Sequence, residues 1–395
     1  AMIPLFSLLL AGFLFLDLVS AQIPDGSVEN LASRNVDFAA RLYQAVASRT
    51  DDNVCLSTFA LSSVLSALLS ATSGPTREQL SQGLALTGLD PQTLPDLFQN
   101  LRTTTQQGNT ATCLKQAVAV LPSNNFEVSA SFRQLVQTKF GGYIPNVRYS
   151  DQAEAISTIN RWAQDQTGDK IQQFVTALDA QTQLLLATVS YYQTQFSPLF
   201  NASLTQDERF YVNKYAVVMV PMMFRADKFF LAYDPLLKVG VLKLPMSDGT
   251  AMLVVLPDED VDIIDVEEKM TGEKIRAWIR QLKKTKLEVQ FPRFLLEKSY
   301  MMGDFLQTLN VTMVFQDGAE IREMGAKGPR LTQVYQTSAL SVRDSSEEVM
   351  TGGGASMFSD PPPRLTINRP FVFLIYHQMS GIVLLIGRVS DPTLQ

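Results

Sequence analysis

Residues 343–363 sit between two apolar runs and hold almost nothing a core can use. The segment is polar from Arg343 to Glu348, turns to Val349, Met350 and Thr351, and then reads Gly352, Gly353, Gly354. It closes on Asp360 followed by Pro361, Pro362 and Pro363. Polar, glycine-rich and proline-rich sequence in one block predicts a long exposed loop, about 344–363. The flanks, at 339–342 and 365–375, have the apolar texture of strands. A loop this long inside a compact domain is a functional or a disordered segment. The fold must therefore hold both ends of the loop in packed strands.

The rest of the chain fits one α+β domain with a helix-rich N-terminal part. Val36, Ala39, Ala40, Tyr43 and Val46 recur at helical spacing. Residues 60–69 are apolar nearly all round, which predicts a buried helix. Thr76 with Gln79 three residues on reads as a capping-box start for the next helix. Helices are expected over 97–104, over 153–167 (Ile156, Ile159, Trp162 and Ala163 in one stripe) and over 275–282 around Trp278. Residues 114–121 and 184–192 predict buried strands, the second a central one. From Phe210 the texture turns to strands, at 211–212, 217–220, 239–244, 251–256, 287–291, 372–375 and 381–389, separated by Pro or Gly turns. No internal repeat and no long linker interrupts 22–395, so a single domain is expected there.

Residues 3–19 are nearly all apolar, with Asp17 as the interruption, and Val19, Ser20 and Ala21 form a small-residue cleavage pattern. This predicts a secretory signal peptide over 1–21; a signal anchor is the alternative, although the run is short for a bilayer span. No other segment is long and apolar enough to cross a membrane. Secretion permits a Cys55–Cys113 disulfide, whereas the apolar context of both favours buried free thiols. Asn201-Ala-Ser203 and Asn310-Val-Thr312 are candidate N-glycosylation sites.

Charge and residue counts exclude several functions. Thirty-three Lys and Arg against 39 Asp and Glu give a net charge of −6, the wrong sign for a general nucleic-acid binder. One histidine and two cysteines leave no Cys/His metal cluster, and no cofactor motif accompanies them. His377 reads as a surface histidine beside a turn. Without a Gly-x-Ser-x-Gly elbow or an HExxH helix it is not expected to be a base, and the chain is not expected to be an enzyme. Arg276, Arg280, Lys283, Lys284 and Lys286 form a basic stretch on and beyond the helix at 275–285. It reads as a solvated helix face, with heparin-like polyanion binding as the alternative.

The run from Leu365 through Asn368, Arg369, Pro370 and Phe371 to Ile375 resembles the signature that follows the reactive loop in the serpin family. The ending from Ser380 through Gly387 and Arg388 to Asp391-Pro392 resembles that family too. So do Asn53-Val-Cys-Leu-Ser57 with its following helix, Val220-Pro-Met-Met223, Val241-Leu-Lys-Leu-Pro245 and Met252-Leu-Val-Val-Leu-Pro257. The blocks lie in family order across about 30–395. Thr72-Ser-Gly-Pro-Thr76, Asn213-Lys-Tyr215, Gln336 where most serpins carry a histidine, and Asp391-Pro-Thr-Leu394 are similar to the secreted, protein Z-dependent group.

The resemblance implies a large central mixed sheet with further sheets and an exposed reactive-centre loop. It also implies suicide-substrate inhibition of a serine protease, by insertion of the cleaved loop into that sheet. The candidate scissile bond is Phe358–Ser359, suited to a chymotrypsin-like or a coagulation protease. Counting back from Arg369-Pro370 leaves one residue too many, so Ser359 or Asp360 stays open for that role. Ser57 and Gln336 fall in the sheet-opening region, where Ser57 is expected as a buried, satisfied hydroxyl. A monomer with no cofactor molecule or metal is implied, and a protein Z-like partner. Heparin is not implied, because the segment at 92–106 carries only Arg102.

The hinge departs from the inhibitory pattern. Inhibitory serpins place glycine at Ser346, threonine at Glu347 and small residues at Val349, Met350 and Thr351; Glu348 lies between. Glu347 would face the core after insertion, and a lone buried carboxylate is costly or must protonate. Gly352 to Gly354 add chain entropy. The alternative is therefore a non-inhibitory serpin: a carrier, hormone precursor or binding protein.

Overall fold

In the computed structural model, which describes residues 27–106, 113–345 and 360–395, the first helix starts at a serine cap. The Ser27 hydroxyl accepts the Asn30 N–H at 3.0 Å, and α1 (Val28–Ala47) buries Val36, Ala39, Ala40, Tyr43 and Val46 as its spacing requires. A short strand, β1 (Val54–Leu56), leads into α2 (Thr58–Leu69), which is buried at every position. Its lack of charged residues follows from its place between α1 and strands of two sheets. Next comes α3 (Gly74–Gly83), whose N-cap position is Ser73 without a side-chain cap bond, so Thr76 lies inside the helix and not at its start. The Thr76 hydroxyl accepts the Glu320 N–H at 3.2 Å: tertiary contact overrode the local capping pattern. Then follow α4 (Leu94–Gln106), β2 (Leu114–Pro122), α5 (Ala130–Lys139), α6 (Gln152–Thr167) and β3 (Leu184–Gln193).

The strand-rich half holds β4 (Gln206–Tyr211), β5 (Val217–Asp234), β6 (Val239–Pro245), β7 (Thr250–Pro257), α7 (Ile263–Lys269) and α8 (Gly272–Gln281). After them come β8 (Lys283–Pro292), β9 (Phe294–Met301), α9 (Gly303–Thr308), β10 (Gln333–Val342), β11 (Arg364–Thr366), β12 (Phe371–His377) and β13 (Val383–Val389). The expected short strand at 217–220 is the start of the 18-residue β5.

Two mixed sheets result, so the expected mixed sheet and a further sheet are both present. One runs β2-β3-β10-β9; the other runs β1-β13-β12-β7-β6-β5-β8-β11, with β4 on β5. In the first sheet β3 is buried on both faces. Leu184 and Leu186 face the helical core, while Leu185, Ala187 and Val189 pack beneath Ile159, Trp162 and Ala163 of α6. That double burial is why its sequence is a continuous apolar run. A further core of Met, Phe and Leu, including Phe196, Phe291 and Phe371, lies against the second sheet.

Candidate functional site

The strand that leads into the loop, β10, lies between β9 and β3, antiparallel to the first and parallel to the second. The β3–β10 seam is closed by register from Gln333 on Leu185 to Ser341 on Gln193. Small and polar residues line its inner side. Gln336 is opposite Thr188 and Ser338 opposite Ser190, and Gln116 of β2 is opposite Ser190. All of these β3 and β10 residues are buried.

Ser57 holds this inner side together. Its hydroxyl lies 2.6 Å from the Ser190 hydroxyl and donates to Gln116 Oε1 at 3.4 Å. Its backbone N–H donates to Gln336 Oε1 at 3.0 Å, and Gln336 Nε2 donates to the Cys55 carbonyl at 3.4 Å. Ser57 is thus the buried, satisfied hydroxyl expected, joined to three adjacent strands. The Thr188 and Ser338 hydroxyls are buried without a partner among the described residues, each at a cost of about 1–3 kcal/mol. The seam is therefore closed but not optimal.

Both ends of the loop are anchored. At the start, Thr194 N–H donates to the Ser341 carbonyl at 3.0 Å, and Arg343 N–H to Thr194 Oγ1 at 3.1 Å. The nearly buried Asp344 carboxylate accepts from Thr205 Oγ1 at 2.6 Å and lies 3.6 Å from Arg293 Nη1. Ser345 donates to the Phe200 carbonyl at 3.0 Å, and its own carbonyl accepts from Ala202 at 3.2 Å. At the far end the Pro363 carbonyl accepts the Glu288 N–H at 3.0 Å. There β11 pairs parallel to β8, with Arg364 on Glu288 at 2.8 Å. Ser346 to Thr351, and the bond Phe358–Ser359, lie outside the described residues, as does the signal-peptide segment.

Other candidate residues are placed as follows. Cys55 and Cys113 are buried and unpaired, and burial pushes both thiols up to about 12; the free-thiol reading holds. Asn310 is exposed in a turn at φ 63°. Asn201 is half-buried, and its side-chain oxygen accepts the Ser203 N–H at 2.9 Å. Phe196 stacks edge-on against Phe200 and Phe291 at 5.1 and 6.4 Å.

Two expectations are corrected. His377 is buried, not on the surface; it ends β12, with Nδ1 2.9 Å from Ser380 Oγ. The basic stretch is not one helix face, because α8 ends at Gln281 and Lys283, Lys284 and Lys286 belong to β8. Arg276 is held by Asp37 at 3.0 Å. Arg102 donates to the Thr138 carbonyl at 3.3 Å. Among the described residues no group of His, Cys, Asp and Glu is placed to hold a metal ion, and no helix is long and apolar enough to cross a membrane.

Sequence reasoning missed Gln116, Ser190, Asp344, Thr205 and Arg293. Thr188 and Ser190 carried a signal: hydroxyls inside an otherwise apolar run. Asp344 with Thr205 and Arg293 carried none, because three separate segments meet only in the fold.

Comparison with known proteins places these features. The serpin (serine protease inhibitor) family model matches residues 33–392. Human protein Z-dependent protease inhibitor is 29% identical over 374 residues, covering 93% of this chain and 84% of that one. The crystal structure of the mouse protein-Z dependent protease inhibitor aligns at TM-score 0.86 and 28% identity, over 93% of this chain and 98% of that chain. Thyroxine-binding globulin in complex with thyroxine, 23% identical, has the same fold at TM-score 0.84, over 92% and 100% of the two chains.

Proposed function

We propose that this chain, which belongs to the serpin family, inhibits a serine protease by the insertion of its cleaved loop between β3 and β10. The observation that carries this reading is the closed parallel seam whose own strand, β10, continues directly into the loop. A strand entering there antiparallel to both neighbours would exchange one parallel ladder for two antiparallel ones. In the first step the protease serine oxygen attacks the Phe358 carbonyl carbon. The Phe358–Ser359 C–N bond breaks, the proton passes to the new Ser359 amine, and the protease is left as an ester on Phe358. Insertion of the segment before Phe358 then carries the esterified protease away from its docking position.

The rest of the reading follows from the sequence and the relatives. The chain is secreted after loss of 1–21, acts as a monomer, and carries N-glycans at Asn310 and Asn201. Its target has a large apolar primary pocket, chymotrypsin-like or of the coagulation type. A protein Z-like partner is inferred from the name of the human relative. A non-inhibitory role is favoured by one specific observation: Glu347, Val349 and Met350 stand where insertion calls for small uncharged residues.

One experiment separates the two. The protein is incubated with a chymotrypsin-like and a trypsin-like protease, then analysed by denaturing electrophoresis and mass spectrometry. A stable complex at the summed mass, with a released fragment starting at Ser359, is expected. Clean cleavage without a complex by every protease tried would overturn inhibition and leave the carrier or precursor role.

A further inference from the structure

The outer face of the first sheet carries a cavity that neither the seam nor the loop anchors use. Its floor is made of direct cross-strand partners, Tyr335 on Met301 and Thr337 on Ser299, from β10 and β9. Its wall is the segment 174–177, from the connection between α6 and β3. The cavity volume is about 340 Å³, at the lower end of the range for small-molecule sites. The wall is fixed before anything binds. Asn160 of α6 donates from Nδ2 to the Val175 carbonyl at 2.9 Å and accepts the Val175 N–H on Oδ1 at 2.8 Å. Phe174 stands edge-on to Trp162 of α6 at 6.0 Å and to Tyr335 at 6.4 Å, so its ring ties wall to floor.

The lining selects for an uncharged aromatic ligand. Among the described residues no Lys, Arg, His, Asp or Glu lines the cavity, so an ion entering it would lose water without gaining a counter-charge. The Phe174 and Tyr335 rings and the exposed Met301 thioether offer ring and sulfur–aromatic contacts. Polar groups are few and sit on the floor. Ser299 and Thr337 share one hydrogen bond at 2.8 Å; that bond uses one of their O–H groups and leaves the other to donate to a ligand. The Tyr335 hydroxyl has no hydrogen bond among the described residues, and burial raises its pKa, so it stays neutral and can both donate and accept.

We propose that this cavity binds an uncharged aromatic molecule bearing a hydroxyl group, and that the bound ligand holds the seam closed. Wall and floor are held from opposite sides of the seam. Phe174 and Val175 share an apolar cluster with Leu185, Ala187 and Val189 of β3, whereas the floor belongs to β10 and β9. A strand entering between β3 and β10 moves them apart by one strand spacing, about 4.8 Å, and draws the wall off the floor. A ligand that touches both binds the closed form better, and by linkage it opposes insertion. The binding step stands on the cavity alone; the hold on the seam rests on the insertion reading above.

The test is a ligand-observed NMR titration of the full chain with dihydroxydiphenylmethane, in which two phenol rings share one carbon. Its roughly 15 non-hydrogen atoms, at ordinary ligand efficiency, give an expected Kd of about 0.1–1 mM. Ser299→Phe fills the floor and Tyr335→Leu removes a ring and a hydroxyl; each should weaken binding at least about fivefold. Met379→Ala, at an exposed methionine on the turn between β12 and β13, should bind as wild type does. The analogue with a carboxylate in place of one hydroxyl should bind more weakly than the phenol. If Tyr335→Leu does not fold, Ser299→Phe alone makes the comparison. No binding by wild type, undiminished binding by the cavity variants, or tighter binding of the carboxylate would each overturn the assignment. The chain cut near Phe358 is titrated next. Weaker binding by cut protein whose Tm has risen supports the hold on the seam, and equal binding by that protein overturns it. Cut protein with no rise in Tm and unchanged binding overturns insertion, and with it the hold on the seam, while the cavity assignment stands.

Discussion

Gln336 uses both ends of its amide on the backbone of another segment, accepting from Ser57 and donating to Cys55. Gln336→Leu keeps the volume but strands a buried N–H and a buried carbonyl. The expected loss is about 2 kcal/mol or more, since each orphaned group costs about 1–3 kcal/mol. Thermal unfolding of the two proteins checks it, and an unchanged Tm would mean the clasp is dispensable. Because Gln336 does not titrate, the one histidine supplies any imidazole-linked pH dependence. Burial lowers the His377 pKa, against a smaller opposing pull from Asp248. The folded state thus takes up its proton at lower pH than the unfolded chain, whose imidazole titrates near 6.5 (~). As pH falls through that value the unfolded state binds more protons, so stability falls. Below the folded pKa the loss levels off. His377→Gln should therefore flatten the fall in urea midpoint between pH 7.5 and 5.5 (roughly this window); an identical slope in both proteins would place the proton elsewhere.

At the scale of elements, the hinge governs what the loop can become. Asp344 and Ser345 already pair with 200–205, so entry into the seam must begin with the residues after them. Glu347 is among the first, and a carboxylate carried into the buried polar side of the seam must desolvate or protonate. Glu347→Thr should raise the ratio of protease complex to cleaved product several-fold, read by denaturing gel densitometry. A ratio that does not move would shift attention to Val349 and Met350. Elements also show why some of the fold was readable and some was not. The helix at 58–69 was legible because burial on all sides leaves a sequence with no charged residue. Residues 184–192 were legible because a strand buried on both faces reads as an apolar run. By contrast β9 alternates buried and exposed positions while carrying Glu297 and Lys298, and α5 buries only Phe132 and Val136. Neither made a pattern strong enough to stand out.

For the whole molecule, the decisive property is whether the described state is the most stable arrangement the chain can reach. Among the described residues the inner side of the seam leaves two buried hydroxyls unpartnered, Thr188 and Ser338, and Ser66 Oγ of α2 is buried without a partner as well. The same region holds Ser57 by a net of short-range contacts that a new strand would have to share. A strand added between β3 and β10 would gain about ten ladder bonds at ~0.5–1.5 kcal/mol each. Against that stand the ordering of Gly352 to Gly354 and the burial of Glu347. If the gain prevails, cutting the loop near Phe358 should raise the unfolding temperature by about 10 °C or more, taking 1 kcal/mol as ~2 °C in a chain of this size. Cleaved and intact protein are compared by calorimetry at neutral pH, and again with Glu347→Thr. A rise in both proteins means the intact chain is spring-loaded and insertion is favourable despite the carboxylate. A rise only in the variant assigns the block to Glu347 alone. No rise in either means the closed seam is already the resting minimum, and the chain then keeps the serpin fold while working as a carrier or precursor.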